Sequence, residues 1–136
     1  MSRTFIIDSR NRESDAPTND FVLNLNPPLE DIGAVKLLYC SIPVVEGADQ
    51  LYWCVSIREL GLNARGSNRD TSKCTFVIPV MSGGGYRSFF NSGSSFVPKS
   101  NGADRDISQM HIALHYPDGS PVSTNDEDFI IVLELD

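Results

Sequence analysis

The chain has 136 residues, of which 40% are hydrophobic, and a formal net charge of −7. This length predicts one domain, spanning residues 1–136, that buries a core without metal or disulfide support. No apolar run approaches the roughly 18 residues of a membrane span, so no span is expected. Direct binding to nucleic acid is not expected either, because such binding depends on concentrated positive charge.

The cysteines and the first residues indicate where the protein is made. The chain has three cysteines, Cys40, Cys54 and Cys74, and they lie far apart in the sequence. Their odd number and wide spacing argue against a disulfide framework or a zinc motif. We expect them to be buried as small hydrophobic residues. Met1 to Phe5 is not followed by a long apolar segment, so no secretory signal is predicted. Together these features predict synthesis in a reducing cell interior.

The first half of the chain reads as strands separated by turns. A short apolar run, Thr4 to Ile7, precedes a long polar loop. Phe21 to Leu25 then alternates apolar and polar residues, which predicts a half-buried strand that Pro27-Pro28 should end. Ile32 to Val45 is the longest apolar segment, and its branched residues predict a central strand.

The middle of the chain mixes strands with irregular sequence. Leu51 to Arg58 predicts a strand with Trp53, Val55 and Ile57 on one face, and Cys74 to Val80 resumes the β pattern. Met81 to Ser95 is rich in Gly and Ser and is expected to be a loop, in which only Tyr86 to Phe90 could form a helical turn. A short strand is expected over Ser95 to Pro98.

The last stretch closes the predicted fold. His111 to Tyr116 alternates like a strand, and Pro117-Asp118-Gly119-Ser120 predicts a turn in which Gly119 adopts positive φ. Asp128 to Leu135 is apolar on both faces, so it should lie inside a sheet and not at its edge. About eight strands and no convincing helix predict an all-β fold, an eight-stranded jelly-roll sandwich, with an immunoglobulin-like sandwich as the alternative. The predicted core residues are Phe21, Leu23, Leu37, Val55, Phe76, Ile112, Leu114, Ile131 and Leu133.

The sequence offers few residue patterns that are typical of catalytic or metal-binding sites. His111 and His115 lie on one strand face, where four residues separate them by about 13 Å, too far to share one metal. No catalytic residue, metal ligand set or cofactor is therefore predicted. A lectin using Trp53, Tyr86 and loop carboxylates, with or without calcium, is one alternative function. A cupin-like hydrolase or isomerase is another, although it needs a metal-ligand cluster that these histidines do not provide.

Three long polar loops, Asp8 to Asp20, Gly61 to Lys73 and Met81 to Ser95, suggest that the scaffold presents surfaces to other chains. Several segments support this interpretation by resembling one protein family in the same order along the chain. These segments are Ile7–Arg12, Thr18–Leu23, Ile42-Pro43, Ile78-Pro79, Gly85-Tyr86, Asp118–Val122 and Phe129–Ile131. They resemble small jelly-roll penton and minor capsid proteins of double-stranded DNA viruses, including adenovirus-like, tectivirus-like, polinton-related and virophage lineages.

The resemblance implies a structural protein and not an enzyme. It implies a single jelly roll in the virion capsid, a homopentamer at the vertices beside the major capsid protein. A helix that often follows the Gly-x-Tyr stretch in such proteins is replaced here by Ser- and Gly-rich sequence, and no second domain for a spike or receptor-binding knob is expected.

Charge suggests how identical subunits would meet. Arg10 and Arg12 in the first loop are expected to contact an acidic surface on a neighbour, formed by Asp126, Glu127 and Asp128. Phe89 and Phe96 are the alternative interface residues.

Overall fold

The computed structural model describes residues 3–13, 15–32, 35–44, 52–61, 67, 73–79, 85–90, 95–96, 105–124 and 127–135. Within these ranges the chain forms strands and two short 3-10 turns, and no α-helix. The strands are β1 (Arg3–Asp8), β2 (Asp20–Ile32), β3 (Val35–Val44), β4 (Tyr52–Ile57), β5 (Phe76–Pro79), β6 (Gly85–Phe90), β7 (Ser95–Phe96), β8 (Arg105–His115) and β9 (Ile130–Leu135). The 3-10 turns span Ser9–Asn11 and Arg58–Leu60.

The strands form two antiparallel sheets that pack as a sandwich. The first sheet has the order β1-β9-β3-β6, with the short β7 also paired to β3. The second has the order β2-β8-β4-β5. These two sheets confirm the predicted all-β sandwich.

Pairing between the strands follows a nested order. The first strand pairs with the last, β1 with β9, and the next pairs inward are β2 with β8, β3 with β6 and β4 with β5. Two further pairings connect these ladders within each sheet. β3 also pairs with β9 in the first sheet, and β4 also pairs with β8 in the second. Strands β8 and β9 therefore lie in different sheets, although they are neighbours in sequence.

Inward side chains of both sheets form one apolar cluster. All nine predicted core residues are buried in it. The rings of Phe21 in β2 and Phe129 before β9 lie 5.9 Å apart, so this contact joins the two sheets. The three cysteines are buried free thiols, as predicted. Burial raises the pKa of Cys54, and it raises that of Cys74 to about 12.

The closing strand illustrates why the sequence forms this sheet. In β9, Ile131, Leu133 and Leu135 are buried and the residues between them are half-buried. Because β9 pairs with β1 on one side and β3 on the other, it lies inside the sheet, as predicted.

The turn that follows β8 has the expected form. Gly119 has φ 92°, the left-handed region that glycine occupies without a steric cost. Its N–H donates to the carbonyl of Tyr116 at 2.8 Å, and the N–H of Tyr116 donates to the carbonyl of Ser120 at 2.8 Å.

Two local predictions were wrong. Pro27 and Pro28 do not end β2, which continues to Ile32, because β2 is an edge strand and its register with β8 shifts between Asn24 and Leu29. Prolines are tolerated at such edges and irregularities, where no ladder bond is lost. Gly85 to Phe90 is a strand paired with β3 and neither a loop nor a helical turn. The rest of the Met81 to Ser95 loop lies outside the described residues, except Ser95, which begins β7.

Candidate functional site

The predicted interface residues Arg10, Arg12 and Asp128 meet where the first loop touches the start of β9. Asp8, at the end of β1, accepts a hydrogen bond at Oδ1 from the backbone N–H of Arg10 at 3.0 Å. This side-chain cap begins the 3-10 turn Ser9–Asn11. The guanidinium of Arg10 folds back on the same carboxylate, with Nη2 to Oδ2 at 2.7 Å and Nε to Oδ1 at 3.0 Å. We refer to Asp8, Ser9, Arg10, Arg12 and Asp128 as the first-loop cluster.

Ser9 connects the first loop to the residues just before β9 through hydrogen bonds. Its backbone N–H donates to the carbonyl of Phe129 at 3.1 Å, and its hydroxyl accepts from the N–H of Phe129 at 2.9 Å. The hydroxyl also donates to Asp128 Oδ1 at 2.8 Å. Because Ser9 is fully buried, these bonds satisfy groups that water cannot reach.

Arg12 completes the cluster from the other side of the loop. Its Nη1 donates to the carbonyl of Ser9 and to Asp128 Oδ1, both at 2.7 Å, and its Nε donates to the carbonyl of Ala16 at 2.8 Å. The ion pair between Arg12 and Asp128 therefore forms within one chain. Contacts of these residues with a neighbouring subunit stay a prediction.

The two arginines differ in exposure. The side chain of Arg12 is 19% exposed, whereas that of Arg10 is 71% exposed. Arg12 is therefore occupied in holding the loop together, and Arg10 presents most of its surface to solvent.

Electrostatics favour the ionised carboxylates in this cluster. The hydroxyl of Ser9 lowers the pKa of Asp128, and Arg12 lowers it further. The side-chain hydrogen bond from Arg10 lowers the pKa of Asp8. Both acids are thus charged at neutral pH and partner the two arginines.

A shallow cavity of about 300 Å³ lies beside the cluster on the outer face of the first sheet. Asp8, Arg10 and Asp128 form its polar side, and Tyr39 and Ile130 contribute apolar surface. An exposed cation beside apolar surface is a combination that suits contact with another protein.

The remaining predicted interface residues are more scattered. Glu127 is exposed, and its N–H donates to the carbonyl of Thr124 at 3.0 Å. Phe89 lies in β6 opposite Cys40, and Phe96 lies in β7 opposite Val35, but the structure describes only their backbones. Asp126 lies outside the described residues.

Sequence reasoning did not assign a role to Asp8 or Ser9, which organise the cluster. An available signal was the Asp-Ser-Arg sequence directly after a strand, because Asp commonly accepts a bond from the N–H two residues later. The role of Ser9 had no local signal, since its partners lie 119 and 120 residues away.

The histidines have separate partners and do not form a common site. His111 Nε2 lies 2.6 Å from Asp20 Oδ1, and His115 Nε2 lies 2.7 Å from the hydroxyl of Ser56. Among the described residues, no group of three or more His, Cys, Asp or Glu side chains could hold a metal ion.

Trp53, which the lectin alternative required, lies in the core. Its side chain is 2% exposed, so its ring cannot stack on a sugar at the surface. The side chain of Tyr86, its predicted companion, lies outside what the structure describes.

No protein-family model matches the sequence, and no curated protein matches it significantly. In the described part of the chain, no helix has the length and apolar character needed to cross a bilayer.

Proposed function

We propose that this chain is a structural subunit of an icosahedral virion, with a jelly-roll fold and no catalytic role. In this proposal it forms the pentameric vertex of the capsid, where it contacts copies of itself and the major capsid protein. The proposal includes assembly in the interior of a host cell.

The nested strand pairing is the observation that carries this proposal. A jelly roll arises when one long antiparallel hairpin is rolled so that its successive strand pairs alternate between two sheets. Such winding gives β1 with β9, β2 with β8, β3 with β6 and β4 with β5, with β7 as a two-residue addition. Jelly rolls form capsid subunits, lectins and cupins.

Fold alone does not choose among these classes, so the choice depends on sites. The segments resembling penton and minor capsid proteins favour the capsid class. In the segment Ile7 to Arg12, the polar side chains of Asp8, Ser9 and Arg12 bind parts of their own chain. This use of polar residues suits a subunit whose task is to hold a shape.

The first-loop cluster supports a role as one half of a subunit contact. A closed ring requires two different surfaces on each subunit. Because Arg10 and Asp128 line the same cavity, they belong to a single surface. The complementary surface must then lie elsewhere on the subunit. Phe89 and Phe96 are the alternative contact if the Arg10 surface is not one.

Reversing the charge at Arg10 tests this contact, and it also removes the ion pair between Arg10 and Asp8. Because the Arg10 side chain is exposed, we expect Arg10→Glu to fold normally and to form fewer oligomers in sedimentation velocity. High salt should also reduce the amount of oligomer that the parent protein forms, because salt screens the charge of Arg10. Arg12 is unsuitable for this test, because its side chain binds two backbone carbonyls within the chain.

Arg58→Glu is the matched control, since it makes the same charge change on the exposed residue of another 3-10 turn. Equal oligomer distributions for Arg10→Glu and Arg58→Glu would show that the Arg10 surface is not a subunit contact.

A further inference from the structure

The two sheets differ in how their described edges are protected against pairing with another chain. Edge strand β2 contains Pro27 and Pro28 and two shifts of register, and edge strand β5 is four residues long and ends at Pro79. Both features discourage the addition of a further strand. Edge strand β1 has neither feature, because it has no proline and keeps one register with β9 over six residue pairs.

The direction of the free backbone groups on β1 follows from one hydrogen bond. The N–H of Ser9 donates to the carbonyl of Phe129, so this opposed pair is hydrogen-bonded. Hydrogen-bonded pairs alternate with non-hydrogen-bonded pairs in an antiparallel ladder. Thr4, Ile6 and Asp8 are thus the residues whose N–H and carbonyl groups point away from β9, toward the open edge.

The side chains of the same residues lie on the outer face of the sheet. Ile6 is 55% exposed, and Thr4 is also exposed. Ile6 is thus a large apolar side chain at the centre of an edge that no described strand covers, and pairing with another strand would bury it.

We propose that β1 pairs antiparallel with β1 of a second copy of this chain, about a two-fold axis that passes beside Ile6. In this register Ile6 faces Ile6 of the second copy and Thr4 faces Asp8. Residues that point into the core of one copy then face residues that point into the core of the other. The first sheets of the two copies therefore join as one continuous sheet. The contact does not depend on the proposed capsid role.

Charge and hydrogen bonding favour this register over one centred on Asp8. A two-fold axis at Asp8 would place two carboxylates opposite each other, which is unfavourable. An axis at Ile6 places the hydroxyl of Thr4 opposite a carboxylate and uses all three edge-facing residues. It provides roughly four backbone hydrogen bonds across the new ladder, counting the carbonyl of Asp8 as already engaged by the 3-10 turn.

Disulfide trapping tests the register. Opposed residues in a hydrogen-bonded pair have Cα atoms about 5.5 Å apart, within the range that a disulfide spans. We expect Ile6→Cys to shift from monomer to covalent dimer on a non-reducing gel in the presence of oxidised glutathione. Thr4→Cys is the matched control, because the two copies of residue 4 would lie about 13 Å apart in this register. The native cysteines are buried in both variants.

Sedimentation velocity provides a second measurement. Ile6→Lys would place two ammonium groups opposite each other, so this variant should sediment more slowly than the parent at equal concentration. Circular dichroism should show an unchanged fold, because Ile6 is more than half exposed. Equal cross-linking of the two cysteine variants, no cross-linking of either, or equal sedimentation of Ile6→Lys and parent would each overturn the proposal. If a strand of a different protein occupies this edge, neither cysteine variant should cross-link, and Ile6→Lys and the parent should sediment equally.

Discussion

Ser9 contacts three other residues, two through its hydroxyl and one through its carbonyl. The hydroxyl accepts the N–H of Phe129 and donates to Asp128, while the neighbouring carbonyl of Ser9 accepts from Arg12. At this scale the residue types were visible in the sequence, but their partners were not. Arg10 and Arg12 look equivalent in the sequence, and only the fold shows that one is exposed and the other binds backbone carbonyls.

Removing the hydroxyl of Ser9 should destabilise the protein. Ser9→Ala leaves the buried N–H of Phe129 without this partner, and such a loss costs about 1–3 kcal/mol in free energy of unfolding. Urea titration measures this change. Ser120→Ala removes an exposed hydroxyl and should stay within about 0.5 kcal/mol of the parent. A Ser9→Ala protein as stable as Ser120→Ala would show that the cluster does not hold the loop.

Asp128 should make stability depend on acid pH. Its pKa in the folded chain is lowered, mainly by the Ser9 hydroxyl and then by Arg12, so the folded state favours the ionised form. The resulting stabilisation is present above the unfolded pKa of about 4 and is lost as pH falls through the lower folded pKa.

Asp128→Asn should therefore show a smaller loss of unfolding free energy than the parent between about pH 5 and about pH 2. Denaturant titrations across this range measure the difference, and Asp15→Asn makes the same charge change at an exposed position. Parallel pH profiles for Asp128→Asn and the parent would contradict this assignment.

Among the elements, the strands with regular alternation were predictable and the irregular ones were not. In β8, the buried Ile112 and Leu114 alternate with half-buried residues, so the period of two appears directly in the sequence. β9 was predictable from its continuous apolar run instead. β2 continues past two prolines because it is an edge, and β6 forms from Gly-containing sequence because β3 supplies its partner. Both features depend on tertiary pairing, which local patterns do not encode.

A buried pair of threonines joins two connections between elements. The hydroxyls of Thr18, just before β2, and Thr124, in the link to β9, hydrogen-bond to each other, and both residues are buried. Either single substitution, Thr18→Val or Thr124→Val, leaves the other hydroxyl without this partner and should cost about 1–3 kcal/mol.

The double variant should cost less than the sum of the single variants, by about 0.5–3 kcal/mol. Thermal or urea unfolding of the four proteins in this cycle measures the coupling. Additive losses would mean that the hydroxyl pair does not link the two connections.

At the scale of the whole molecule, the all-β sandwich and its core could be predicted from apolar periodicity. Nothing in the local sequence indicated that β8 and β9, adjacent in the chain, would lie in different sheets. The first-loop cluster was unpredictable for the same reason, since its bonds join the two ends of the chain. The proposed five-fold vertex would be a property of several copies, so only an assembly measurement tests it.

Native mass spectrometry of the Ile6→Lys variant tests the proposed vertex role most directly, because this substitution removes the proposed edge pairing from the measurement. A pentameric vertex protein should give a principal species of five chains of 15.0 kDa each, 75 kDa in total. We also expect Arg10→Glu in the same background to reduce the abundance of this species. A single chain at every concentration, or a ring with a different number of copies, would contradict the proposed pentameric vertex.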